Sequence, residues 1–248
     1  MRFDSLRGVA GLILALCTQT SLFGQEKSVS VPFVGCKSDG QIGPMEAPIG
    51  TRVAVPITPK AAQALAYYSI GPGNGVLAPR GWYCFGTYGS SGSALLVSPQ
   101  HIDTATMFST WDGLSGPVIG VSNWDGDTSG RFQVAEIIAR VFPAYRAFTI
   151  HVMEEGLGGP FKFSPFPKDE LTYKSNRVVE YKTPPQSDGL GTYLWLKKNG
   201  SPIEGVVMLT GKTPDLLLLS VRLPPELREI TSVIVHQVER DARRSDRH

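Results

Sequence analysis

The chain has 248 residues, of which 24 are Lys or Arg, 22 are Asp or Glu and four are His; 42% are hydrophobic and the formal net charge is +2. This near neutrality, with signs that alternate even in the C-terminal ERDARRSDRH, excludes a basic stripe for nucleic acid and a polybasic membrane patch. Gly, Pro and Ser are scattered without a fixed-period repeat or low-complexity tract, so a mixed globular protein is expected rather than a fibrous or disordered one.

The N-terminal MRFDSLRGVAGLILALCTQTSLFGQ places Arg2 and Arg7 ahead of an apolar run from Gly8 to Cys17, with small residues near Gly24. That is the pattern of a secretory signal peptide, assigned to residues 1–24. An apolar run of about ten residues is too short for a span of roughly twenty, and no later stretch is longer. A soluble exported protein, periplasmic or extracellular, is the expectation. Lipid anchoring at Cys17 is not expected, because Leu16 stands where a lipoprotein cleavage site carries a small residue. Loss of Arg2, Arg7 and Asp4 with the signal reduces the 24 basic and 22 acidic residues to 22 and 21. Two cysteines then remain, Cys36 and Cys84, and an even pair in an oxidising compartment predicts a disulfide.

The segment from Gln25 to His248 is expected to form one α+β unit, with a sub-boundary near residues 156–160. After an irregular opening, RVAVPI reads as a strand. Thr58 as cap and Pro59 at the first helical position predict a helix through KAAQALAYY. It stops at Gly71-Pro72-Gly73, and GWYCF and SALLVS read as strands around GTYGSSG. VIGVSNW is a further strand. From Arg131 the apolar positions Phe132, Val134, Ile137, Ile138, Val141 and Phe142 follow a helical period, continued after Pro143 by Tyr145, Phe148, Val152 and Met153. This helix pair, or kinked helix, ends at GLGGP. The remainder predicts strands in LTYKSNRVVEYK, GTYLWLKK, EGVVMLTG and DLLLLSVRL, with Asn199-Gly200 as a hairpin turn. A final helix starts at PPELREI and carries Leu227, Ile230, Val233, Ile234 and Val238 on one side. The sum is α+β with mostly antiparallel sheet, a central helix pair and a C-terminal helix.

The combination of VPFVGCKSDGQ, APRGWYCFGTYGSSG, TSGRFQVAEIIARVFPA and KTPDLLLLSVRLPPEL resembles a group of exported bacterial proteins with no assigned activity. The resemblance covers most of the chain after the signal. It implies export and transfers no catalytic residue.

Three local patterns raise chemistry. In GTYGSSGS, Ser91 is the candidate nucleophile of a serine-type hydrolase, although the glycines two positions either side that a nucleophile elbow needs are Gly89 and Ser93. Because the first histidine is His101, the order must be Ser, Asp, His, which nominates Asp103 with His151 or His236. Both histidines lie in apolar helical patterns that suit packing or surface positions better than a base. In DGDTSGRFQVAE, Asp125, Asp127, Ser129, Arg131 and Glu136 fall at calcium-loop positions one, three, five, seven and twelve, with Gly130 at six. A strand replaces the helix that should precede such a loop; the alternative is a polar turn in which Thr128 or Ser129 caps the following helix. Calcium is thus the one cofactor the sequence suggests; zinc and phosphate-loop spacings are missing. Third, TPPQSDGLGT from Thr183 reads as an exposed loop of the kind that carries binding function. Tyr181, Tyr193 and Trp195 beside it either line a ligand surface or fill cross-strand positions. The sequence therefore favours a non-catalytic binding or accessory module for an unnamed ligand or protein, with the GSSG hydrolase and a structural calcium ion as the alternative.

Overall fold

The computed structural model describes residues 28–71, 74–108 and 113–245; the signal peptide and Cys17 lie outside them. In chain order the elements are β1 (Val29–Gly35), β2 (Ser38–Gly40), β3 (Arg52–Val55), α1 (Pro59–Ala64), β4 (Leu65–Gly71), β5 (Asn74–Pro79), β6 (Tyr83–Gly89), β7 (Gly92–Ser98), α2 (Thr104–Phe108), β8 (Val118–Trp124), α3 (Arg131–Val141), α4 (Arg146–Glu154), β9 (Glu170–Tyr173), β10 (Val178–Thr183), β11 (Ile203–Thr210), β12 (Asp215–Arg222) and α5 (Thr231–Ser245). They form a four-stranded sheet, β3-β1-β4-β5, and an eight-stranded sheet, β2-β6-β7-β8-β12-β11-β10-β9. Neighbours are antiparallel except for β1 with β4 and β2 with β6. This is the α+β, mostly antiparallel architecture with its central helix pair and C-terminal helix.

Strand alternation divides the large sheet's side chains between its two faces, with Phe85, Leu96 and Val118 in a third, smaller cluster beside the two larger cores. Leu95, Val97, Ile119, Val121, Val206 and Leu219 pack toward the small sheet and α5. On the opposite face Trp124, Val207, Leu216 and Leu218 meet Val134, Ile137, Ile138 and Val141 of α3. Both cores draw on residues from either side of Gly159. The Cys36–Cys84 disulfide is formed, with a Cα–Cα distance of 5.4 Å, and joins the end of β1 to β6, one strand from each sheet. No helix among the described residues is long and apolar enough to cross a membrane.

Three elements differ from the sequence reading. The α1 helix has the expected Thr58 cap, whose Oγ1 accepts from Ala61 N at 3.2 Å, but it ends at Ala64. LAYYSIG is instead β4, buried between β1 and β5, where tertiary pairing overrides the helix-forming alanines before it. Strand β5 has its outer edge partly closed by α5: Gln237, fully buried, accepts from Leu77 N through Oε1 at 2.8 Å. GTYLWLKK is not a strand. Leu190–Thr192 makes a 3-10 turn and Leu196 only a single bridge to Leu114, because this segment's backbone is satisfied by local turns, by Leu114 and by the side chains of Thr183 and Arg222 rather than by a neighbouring strand. Asn199-Gly200 accordingly joins no strand pair; Asn199 Oδ1 accepts from Ser201 N at 2.7 Å and Asn199 O from Gln186 N at 2.9 Å, closing the long β10–β11 connection on itself.

Candidate functional site

A trough opens on the α3-bearing face of the large sheet, at the end that holds the GSSG turn. Its floor is one cross-strand row, Thr87 on β6 opposite Ala94 on β7 opposite Ser122 on β8. The next row contains Phe85 and Leu96, while Trp124 stands at the other side opposite Gly92. Small side chains between large ones leave a depression in an otherwise close-packed surface. Leu194 and Trp195, from the β10–β11 connection, cover one flank, and the enclosed volume is about 240 Å³.

Each wall is fixed. Trp195 Nε1 donates to Ser122 Oγ at 3.0 Å. Below it Gly120 keeps the sheet surface low: a Cβ there would lie 3.1 Å from Leu96 Cδ2 and 3.9 Å from Trp195 Cδ1. Trp124 is 8% exposed and meets the Tyr193 ring edge to face, with centroids 6.3 Å apart. The Tyr193 hydroxyl in turn donates to Glu136 Oε2 at 2.8 Å, and burial together with that carboxylate pushes the phenol pKa up.

The connection carrying Trp195 is held at two further points. Asp169 accepts from Leu190 N at 2.8 Å and from Thr183 Oγ1 at 2.7 Å, while burial raises its pKa. Arg222, only 1% exposed, donates to Gly116 O at 2.9 Å and to Lys197 O and Leu114 O at 2.5 Å. Burial lowers its pKa to about 10. Nothing in the sequence marks Arg222 except a lone charge ending the apolar run LLLLSV.

The two motifs singled out from the sequence are neighbours here. Asp125 N donates to Ser91 O at 3.1 Å, and the hydroxyls of Ser90 and Ser129 lie 3.3 Å apart. Gly130 is required at this contact, since a Cβ would lie 2.2 Å from Ser91 O. Within the DGDTSG loop Asp125 Oδ1 accepts from Asp127 N at 2.8 Å, and Thr128 Oγ1 accepts from Gly130 N at 3.3 Å. Gly130, immediately before α3, has no side-chain cap bond, while Thr128 closes the turn into the helix, its Oγ1 accepting from Gly130 N and its carbonyl from Arg131 N at 3.1 Å. The Arg131 guanidinium pairs with Glu155 at 2.7 Å, and Glu136 holds Tyr193. Among the described residues no group of three or more His, Cys, Asp or Glu is arranged to hold a metal ion.

The nominated hydrolase residues are dispersed. Ser91 sits at the β6–β7 turn and lines the trough, whereas Asp103 follows the other end of β7 and lies 3.8 Å from His101. His151 is exposed on α4, and His236 is on α5, across the large sheet, 3.9 Å from Glu180. Of the three aromatics near the Thr183 loop, Tyr181 is buried and donates to Leu219 O at 2.9 Å, Tyr193 supports Trp124, and Trp195 reaches the trough.

A larger cavity of about 360 Å³ lies beside α5 on the opposite face. Several of its charges pair within the protein: Glu180 with Lys174 at 3.1 Å and Lys182 with Glu204 at 3.6 Å. No family model matches the chain, and no curated protein or solved structure is significantly similar to it.

Proposed function

We propose that this chain is an exported, non-catalytic binding module whose trough holds a small, uncharged polar ligand between Trp124 and Trp195. The observation that carries this reading is the lining itself: Thr87, Ser91 and Ser122 beside Trp124 and Trp195, with no charged residue among them. Pockets of this kind orient a ligand with a few polar groups while apolar and aromatic walls supply affinity. The disulfide suits the oxidising compartment expected from the N-terminal signal.

Hydrolysis at Ser91 would need a general base within hydrogen-bond reach, and the trough lining contains neither imidazole nor carboxylate. The test is titration of the chain without its signal against a panel of small neutral and charged compounds, read by tryptophan fluorescence and melting temperature. Saturable binding by neutral members, weakened in Trp195→Ala, supports the reading. Turnover of an activated ester that is lost in Ser91→Ala would overturn it.

A further inference from the structure

We propose that the outer edge of β9 is the interface of a two-fold dimer of this chain, an inference independent of the trough. A sheet that does not close on itself leaves backbone groups unpaired along its outer strands. Among the described residues the two sheets end in β3, β5, β2 and β9. Gln237 covers part of β5, and Ser38 of β2 exchanges backbone bonds with Met45 at 3.2 and 2.7 Å. Strand β3 carries Arg52 as its one charge, so a second copy of it offers no carboxylate in return.

Strand β9 differs. The bond from Lys174 N to Val178 O at 2.9 Å fixes which residues face β10: Lys174 and, by alternation, Thr172 and Glu170. The N–H and C=O groups of Leu171 and Tyr173 therefore point away from the sheet, and none of the four has a partner among the described residues. An antiparallel second copy centred on Thr172 sets Leu171 of each chain opposite Tyr173 of the other, and the two pairs exchange their outward groups as hydrogen bonds.

The side chains fit the same register. On one face Glu170 of each copy meets Lys174 of the other, and the two-fold axis repeats the pair. Glu170 is exposed and has no ion-pair partner among the described residues. Lysine on an edge strand ordinarily guards against pairing, but here a carboxylate answers it. On the other face Leu171 meets Tyr173, which is 53% exposed. Shifting the register by two residues sets Thr172 opposite Lys174 or Glu170 and loses both ion pairs, so the charges select one alignment. A strand of four residues makes a small contact, which places the dimer among weak, reversible associations.

The experiment is sedimentation equilibrium of the chain without its signal. A monomer–dimer equilibrium with Kd on the order of 100 μM is expected. Glu170→Lys opposes lysine to lysine and Lys174→Glu opposes glutamate to glutamate; each alone should raise Kd at least about tenfold, and an equal mixture should restore pairing as a heterodimer. Thr172→Cys places two thiols at the axis, where a non-hydrogen-bonded pair has its Cα atoms about 4.5 Å apart, within disulfide reach. Cys36 and Cys84 are already bonded to each other, so oxidation of this variant should yield a covalent dimer that reductant dissolves. Because Lys174→Glu also breaks the 3.1 Å contact with Glu180, melting curves accompany each variant, and if it melts low Glu170→Lys and Thr172→Cys carry the test. A parent that stays monomeric up to about 1 mM, a dimer unchanged in Glu170→Lys, or no covalent dimer from Thr172→Cys would overturn the proposal.

Discussion

Replacing Arg222 by Met removes the buried guanidinium and keeps most of its apolar stem. Two opposing effects decide the outcome. Keeping the ion in the interior has a cost: the fall in its pKa from 12.5 to about 10 corresponds to about 3 kcal/mol. The substitution recovers that. Against it stand three carbonyls that lose a charged donor, each worth about 1–3 kcal/mol when left unsatisfied. Leu114 O still accepts from Lys197 N at 2.9 Å and is not orphaned, but Gly116 O and Lys197 O lose their guanidinium donors. The backbone that presents these acceptors cannot be exchanged for apolar atoms, unlike a carboxylate partner in an ion pair. With two orphaned carbonyls at about 2 kcal/mol each against about 3 recovered, a net loss of about 1 kcal/mol is expected, equivalent to about 2–4 °C in Tm for a domain of this size. Thermal unfolding followed by circular dichroism measures it. Tryptophan emission should also shift to the red, because the Lys197 segment that Arg222 anchors carries Trp195. Arg222→Lys should fall between the two proteins, since one ammonium cannot span three carbonyls. An unchanged or raised Tm in Arg222→Met would refute the reasoning and place this site with the buried ions whose removal stabilises.

Three further outcomes follow from the same structure. Replacing Cys36 and Cys84 together by Ser should cost about 4 kcal/mol from the 48-position closure, read as a lower denaturation midpoint; an unchanged midpoint would contradict it. Glu239, 8% exposed on α5, has its pKa raised by burial and by the carboxylate of Glu180, partly offset by Arg243 and His236. The folded state therefore binds this proton more tightly than the unfolded state, so its contribution is greatest at acid pH and is lost as pH rises from the ordinary carboxylate range through the folded value. Glu239→Gln should flatten that decline, and its Tm relative to the parent should rise between about pH 4 and pH 7; a constant difference would exclude Glu239 as the cause. Millimolar calcium should leave the melting curve unchanged, because Asp125 and Glu136 already accept from Asp127 N and the Tyr193 hydroxyl; a rise in Tm reversed by chelator would restore the calcium loop.

Much of the scaffold was legible in the sequence because its periods are clean. SALLVS, VIGVSNW and DLLLLSVRL become central strands of the large sheet, and the 3.6-residue spacing from Val134 to Val141 becomes the buried face of α3. LAYYSIG misled because alanine, leucine and tyrosine after a good cap look helical, while its burial between two strands is a tertiary fact. The trough was legible only in fragments. Ser91 and Trp195 drew attention separately, but the floor exists because β6, β7 and β8 align Thr87, Ala94 and Ser122 in register, and no local pattern encodes that alignment. The connection over it was unreadable as a loop because its alternating apolar residues mimic a strand, while the groups that satisfy its backbone, Asp169 and Arg222, lie far away in sequence.

The most direct test of the account is the tryptophan fluorescence titration of the parent and Trp195→Ala with the panel of small neutral and charged compounds. Saturable change in the parent, with Kd about tenfold higher in the variant, is the predicted result. A parent that shows no saturation with any ligand of the panel, or a variant that binds as the parent does, would contradict the claim that this trough is the functional site.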